Sequence, residues 1–407
     1  MNSDRKNKKI EYDLIIVGGG VTGSILAVLL EQTKLKIALV EANVFDPEKS
    51  DPRVFAITRS SEQIFRSSGI WEELQSQEMG YFREMKVWDA NGSGSIHFDS
   101  KTICEPTLGY IIENRNIQFA LKNKIDQIKN IKNHCPAKID QLTAHTDHVL
   151  VTLDSGEKIT SKLIIGADGA NSKVRKLAEM KSKIHNYQQT AIVCSVKTQI
   201  AHNDIARQRF LSSGPVAFLP LADPHWCSIV WSTTPDQAEV LIKSSEEIFH
   251  QELEQAFDSK LGSILESSQR FSFPLSRAHA KNYVAERVAL IGDAAHRVHP
   301  LAGQGANLGI LDAATLAEIL IQYSDQDIGR KSILRKYERR RKGENLGVIA
   351  AMDGFKYLFG STLEPVQWLR NSGLDLTNSS TFAKNLIMQK AMGLAGDLPA
   401  IARRSQL

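Results

Sequence analysis

Y-D-L-I-I-V-G-G-G-V-T-G, residues 12–23, is the stretch that decides the fold. Residues 12–17 form a short apolar strand, three glycines end it, and residues 22–33 carry helical composition. A second strand, L-K-I-A-L-V, follows at 35–40. Strand, tight turn, helix and strand make a βαβ unit whose crossover helix covers a parallel pair. The chain therefore opens a doubly wound, Rossmann-like α/β domain. Its glycines fall as G-x-G-x-x-G at Gly18, Gly20 and Gly23, with Glu41 closing the second strand. Glycine there lets backbone approach a pyrophosphate, the helix N-terminus offers unpaired N–H groups, and Glu41 can accept from ribose hydroxyls. An adenine dinucleotide is the ligand this predicts, without a choice between FAD and NAD. A strand-helix turn glycine-rich for packing alone is the alternative.

Two later segments make that choice. In G-A-D-G-A-N-S-K-V-R, residues 166–175, Asp168 sits on a tight turn after an apolar strand, where it either meets a dinucleotide or holds the turn. In R-V-A-L-I-G-D-A-A-H-R-V-H-P-L-A-G-Q-G-A-N-L-G, residues 287–309, a strand ends at Gly292-Asp293 and a loop passes Pro300. Gly303-Gln304-Gly305 then turns into a helix near Ala306-Asn307. Asp293 is expected to hydrogen-bond a ribityl chain, and Gly303, Gln304, Gly305, Ala306 and Asn307 to shape a flavin ring site. The helix end there would stabilise the negative charge of a reduced flavin.

In this order and spacing, the three segments resemble the aromatic-ring flavoprotein monooxygenases, and within them the ubiquinone-biosynthesis hydroxylases, across nearly the whole chain. The run at 299–312 is similar to the signature of that subfamily, as are D-P-R-V-F-A-I-T (51–58), L-G-Y-I-I-E-N-R (108–115), G-P-V-A-F-L-P-L (214–221) and G-L-A-G-D-L-P (393–399). The resemblance implies a Rossmann-like FAD-binding domain, an inserted β-sheet substrate domain and a C-terminal helical region. The expected boundaries are 1–80, 106–180 and 277–330 for a discontinuous FAD-binding domain, 81–105 and 181–276 for the substrate domain, and 331–407 for the helical region. Alternating stretches such as M-K-V-W, A-I-V-C-S-V and W-C-S-I-V-W support the separate sheet.

The implied reaction is hydroxylation of the aromatic ring of a polyprenylated phenol in ubiquinone biosynthesis. NAD(P)H or another electron donor would reduce FAD, O₂ would add at the flavin C4a, and the hydroperoxide would pass its terminal oxygen to the ring. Such an intermediate needs a site that excludes water. No second strand-linked G-x-G-x-x-G occurs, which suits an NAD(P)H without a domain of its own. The cofactor carries the oxygen chemistry, so neither a catalytic side chain nor a metal site is assigned. The rivals are an FAD hydroxylase of a soluble aromatic compound and a non-catalytic prenyl-lipid-binding protein of the same fold.

Composition sets outer limits. The chain has 407 residues, 42% apolar and 24% charged, with a net charge of +4, which is ordinary for a globular enzyme and too weakly basic to predict a nucleic-acid partner. Cys104, Cys135, Cys194 and Cys227 have neither disulfide-framework nor metal spacing. The polar, basic N-terminus does not read as a signal peptide, and no run reaches the roughly 18 to 20 apolar residues of a spanning helix. A cytoplasmic protein is expected. Peripheral contact with the inner face of the cytoplasmic membrane and association with other ubiquinone-biosynthesis proteins are further expectations. The basic run at 335–342 is read first as a solvated helix face and second as a membrane-facing one.

Single residues carry paired readings. His296 and His299 are read as holding the flavin loop, with acid-base chemistry as the alternative. Arg53 either contacts FAD phosphate or the nicotinamide donor, or forms an ordinary ion pair. Phe210, Phe218, Trp226 and Trp231 are read mainly as core of the substrate sheet, with some facing a polyprenyl-phenol as the alternative.

Overall fold

The computed structural model describes residues 10–48, 51–92, 94–299, 303–361 and 363–403. The opening strand, Tyr12–Val17, lies between two parallel partners, Ile37–Val40 and Lys158–Gly166. Leu14, Ile15 and Ile16 are wholly buried there, in a core shared with helix Val21–Leu29 and with Ile139, Val149 and Val151. Ile37–Val40 pairs in turn with Ile131–His134, and Lys158–Gly166 with Val288–Leu290, again in parallel. Antiparallel strands Ile139–Ala144, Val149–Leu153 and Val284–Ala285 complete eight strands. Helix Val21–Leu29 is apolar all round and packs against helices Gln304–Gln322 and Asn114–Asp126.

The second sheet has nine strands and alternates with period two. Ile192, Cys194, Val196, Val216, Phe218, Ile229 and Trp231 point to one face, where they join Phe249, Leu253 and Phe257 in a core. Helices Pro235–Lys243 and Glu246–Ala256 cover that face, each started by a side-chain cap, Thr234 accepting from Gln237 N and Ser245 from Ile248 N. Phe218 stacks on Phe257 with ring centres 3.7 Å apart. The intervening residues, including Ala191, Val193, Ala217, Leu219 and Val230, face the cleft described below.

One strand joins this sheet to the flavin-type loop. Phe271–Ala280 pairs along Ser182–Thr198, and its last residues pair with His296–Arg297. The boundary expected at 276/277 falls inside this strand. A small antiparallel sheet of Val54–Ile57, Gly80–Phe82 and Gly109–Glu113, not foreseen from the sequence, adjoins the first helices. Helices Lys331–Gly360, Glu364–Ser379 and Thr381–Ala391 form the C-terminal region.

Candidate functional site

A cleft of about 730 Å³ runs between the two large sheets. Gly20, Val21 and Thr22 of the first helix, Arg53 to Ala56, Ala167, Gly169, Asp293, Arg297, Gly303, Gly305 and Ala306 form one wall. The nine-stranded sheet forms the other, mostly apolar but with Arg207, Gln208, Ser232 and Ser276 on it.

The three opening glycines serve different needs. Gly18 has φ +108°, and a Cβ on it would sit 2.4 Å from Ala167 O. A Cβ on Gly23 would meet Gly18 O at 1.9 Å, so that position brings the helix onto the strand end. Gly20 has nothing within 4 Å of its Cβ direction, which leaves its side open to the cleft. Glu41 folds back on the turn: Oε2 accepts from Gly19 N at 2.6 Å and Oε1 from Asn43 N at 2.9 Å.

Asp168 holds its own turn, Oδ2 accepting from Lys173 N and Val174 N at 2.6 and 3.0 Å. Its Oδ1 is buried without a partner, between two residues that line the cleft. Arg53 forms a double contact with Asp51, at 2.7 and 2.6 Å, while also lining the cleft. Asp293 opens onto the cleft but is ringed by protein on its other sides. That enclosure pushes its carboxyl above the usual range, against the opposing pull of His296, Arg297 and Arg53.

Gly303 caps helix Gln304–Gln322 with φ +62°. Gln304 and Asn307 turn away from the cleft. Gln304 Nε2 donates to Ala391 O at 3.2 Å. Asn307 Nδ2 donates to Ala56 O at 2.8 Å and Gly303 O at 3.2 Å, while its Oδ1 accepts from Thr58 N at 3.0 Å and Thr58 Oγ1 at 3.2 Å. Every polar atom of that buried amide is committed to protein, so it ties the helix start to strand Val54–Ile57. Pro300 lies outside the described residues.

Beneath this helix start lies a buried polar cluster that the sequence reading missed. Asp312, fully buried, accepts from His296 Nε2 at 2.5 Å and Gly292 N at 3.1 Å through Oδ2. Through Oδ1 it accepts from Arg341 Nε at 2.9 Å and Asn345 Nδ2 at 3.1 Å. Burial alone would raise the Asp312 carboxyl, but His296 and Arg341 outweigh it and hold the group below the usual carboxylate range. Arg341 belongs to the basic run, yet is only 2% exposed. Arg175 was missed as well. It donates to Ala294 O and Ala170 O, both at 2.7 Å, and so joins the Asp168 turn to the Asp293 loop. Arg297 lines the cleft with a buried Nε that has no partner. Acidic and basic residues within quoted motifs were the available signal, but spacing does not say which of them pair.

His299 lies beside a second cavity of about 470 Å³, with Phe210, Pro215, Lys356, Tyr357 and Phe359. Its Nε2 donates to Gln189 Oε1 at 3.3 Å and its Nδ1 has no partner. Burial depresses its pKa to about 4, with help from Lys356. Phe218 and Trp231 are core, Trp226 is half-buried, and Phe210 alone of the four singled-out aromatics reaches a cavity.

An open glycine at a helix start, an orphan Asp168 oxygen and a long cleft between a polar and an apolar wall are features that FAD fits. The FAD binding domain family matches residues 11–347. A mitochondrial ubiquinone biosynthesis monooxygenase of Xenopus tropicalis is 36% identical over 93% of this chain and 92% of its own. This chain belongs to the ubiquinone-biosynthesis FAD-dependent monooxygenases. The 3-demethoxyubiquinol 3-hydroxylase of Escherichia coli K12 is 33% identical, over 94% of this chain and 98% of its own. Among solved structures, p-nitrophenol 4-monooxygenase from Pseudomonas putida DLL-E4 superposes with a TM-score of 0.78 at 17% identity, covering 95% of this chain and 99% of its own, a likeness of fold. The enzyme is thus an FAD-dependent monooxygenase, and NAD(P)H and O₂ are the co-substrates typical of its family.

Proposed function

We propose that this monooxygenase hydroxylates the aromatic ring of a polyprenylated phenol on the route to ubiquinone. The observation that carries the reading is the two-sided cleft, glycine-rich and polar on one wall and lined by Ala191, Val193, Ala217, Leu219 and Val230 on the other. The names of the relatives, at 33% and 36% identity over nearly their full lengths, point the same way.

In this reading the N–H groups after Gly20 hold the FAD pyrophosphate at the positive end of helix Val21–Leu29. Glu41, already oriented by Gly19 N and Asn43 N, receives the ribose. Asp293 takes the ribityl hydroxyls, its carboxyl opening onto the cleft. Gly303, Gly305 and Ala306 bring the N-terminus of helix Gln304–Gln322 to the ring, while Asn307 and Asp312 keep that helix in place. When bound, FAD supplies the activation of O₂. The apolar sheet wall orients the phenol ring and excludes water, which protects a reactive oxygen donor from wasteful hydrolysis. A peripheral membrane location and contacts with other enzymes of the route belong to the same proposal.

The test is turnover of a short-tailed prenylphenol with NAD(P)H under labelled O₂, read by mass spectrometry. One labelled oxygen on the ring, lost with FAD content in Asp293→Ala, is the expected result. Donor oxidation that yields only hydrogen peroxide with prenylphenols, beside coupled turnover of a soluble aromatic acid, would overturn it.

A further inference from the structure

Large apolar side chains are unevenly exposed on this molecule. Leu346, Phe355, Tyr357, Leu363, Trp368, Leu369, Leu376, Phe382, Leu386 and Ile387, half of the large exposed apolar residues among those described, all fall within the last quarter of the chain. Trp368 is 71% exposed, Leu376 72% and Phe382 80%. Few charges interrupt them: among the exposed residues of helices Glu364–Ser379 and Thr381–Ala391, only Glu364, Asp375 and Lys390 are ionic. Large apolar side chains exposed in this number on three helices packed in succession mark a contact site.

The helix that leads into this surface shows what the contact is. Along Lys331–Gly360 the solvent-facing positions recur at helical spacing, and their chemistry changes part-way. Arg335 and Arg339 are exposed in the first half, then Leu346, Gly347, Ala350, Gly354 and Tyr357. One helix face thus runs from basic to apolar. Residues 330–407 hold 14 Lys and Arg against six Asp and Glu, and although Arg341 and Arg370 are buried, Arg330, Lys331, Arg335 and Arg339 are exposed at the start of this helix. An apolar patch with cations at one end is complementary to an anionic bilayer surface, with the apolar groups entering the headgroup boundary and the cations meeting phosphates. Among the described residues no helix is long and apolar enough to cross a membrane, so the contact is interfacial.

The face is also continuous with the interior. Tyr357 is 66% exposed and at the same time lines the 470 Å³ cavity, whose Pro215 also lines the main cleft. We infer that the apolar outer face of the C-terminal helices, residues 346–387, docks the enzyme on the surface of an anionic lipid bilayer, with the Tyr357 cavity at the contact. The inference rests on the prenylated-phenol reading for its biological sense, since such a substrate resides in lipid.

The experiment is co-sedimentation of FAD-loaded enzyme with phosphatidylcholine vesicles, with and without phosphatidylglycerol, and no substrate present. Wild type is expected to bind the anionic vesicles at least about tenfold more tightly, and less so as salt rises. A Leu369→Ser, Leu376→Ser, Phe382→Ser, Leu386→Ser variant should lose at least about tenfold in that binding. These four side chains are already in water, so the variant keeps its flavin absorbance and its turnover of a short-tailed phenol without vesicles. Equal binding by variant and wild type would overturn the docking surface, as would a wild type that ignores vesicles. So would a wild-type dimer that the variant converts to monomer, because a second copy would then be the occupant. Vesicle binding lost in the variant, with no turnover of any prenylphenol by wild type, would support the surface and sink the substrate reading instead.

Discussion

The helix that begins after Gly20 and the helix that begins after Gly303 both bring their first turns to the cleft, yet they are held there by different physics. The first is placed by close sterics, backbone against backbone, Gly23 against Gly18 O and Gly18 against Ala167 O. The second is placed by polar groups far apart in sequence: Asn307 with Ala56 and Thr58, Asp312 with His296, Arg341 and Asn345. Steric placement tolerates almost no change of residue. Polar placement can be dismantled one bond at a time, and it responds to pH.

The largest effect is expected at the first end. Gly23→Ala puts a methyl 1.9 Å from a backbone oxygen and should cost about 4 kcal/mol or more, read as loss of soluble, FAD-loaded protein. Gly20→Ala sharpens the point, because its methyl meets no protein atom within 4 Å. That variant should keep the melting temperature of the apoprotein while FAD affinity falls. If both variants behave alike, the division of labour between these glycines is wrong.

Next comes the buried pair under the second end. Arg341→Met leaves Asp312 without a cation and should destabilise by roughly 3 to 5 kcal/mol, whereas Asp312→Asn combined with Arg341→Met should recover part of that loss. Thermal melts of the three variants decide it, and strictly additive losses would show that the pair is not coupled. Asn307→Ala leaves Thr58 N and Ala56 O without their partners, at a cost of about 2 kcal/mol. Flavin fluorescence should rise with it as the ring site loosens; unchanged fluorescence would detach Asn307 from that site.

The smallest effect is a pH dependence that His299, in the loop before the second helix, shares with His279, whose pKa burial also lowers to about 4. His299 has a folded pKa of about 4 against an ordinary 6.5, so the unfolded chain binds the proton first as pH falls. Its contribution is fully present above the unfolded value and declines on acidification, by about 1 kcal/mol between about pH 7 and about pH 5.5. Denaturant unfolding at the two pH values should show the decline, and His299→Gln should remove its share while the share of His279 remains.

The same contrast explains what the sequence disclosed. The Gly18-Gly20-Gly23 turn was legible because its causes lie in adjacent residues and in the period of the flanking strand and helix. The alternating strands of the second sheet were legible for the same local reason. Asn307 stood in the expected flavin motif, but its amide goes to Ala56 and Thr58, some 250 positions away. Arg341 sat in a run that reads as a solvated face, and nothing local marks it as the residue that turns inward. Strand Phe271–Ala280 runs past the expected 276/277 boundary because its last residues go on to pair with His296–Arg297 inside the nine-stranded sheet.

The order of strands in the parallel sheet has a consequence for synthesis. Tyr12–Val17 leaves the ribosome first and can pair early with Ile37–Val40, but its other neighbour is Lys158–Gly166, with Tyr12 opposite Ser161. At ordinary elongation rates the nascent chain waits on the order of ten seconds for that partner. The next strand, Val288–Leu290, comes later still. For that interval a strand bearing Leu14, Ile15 and Ile16 is a sticky, half-sheltered edge. The growing polypeptide is therefore a natural client for a chaperone that holds apolar segments until the rest of the sheet is made.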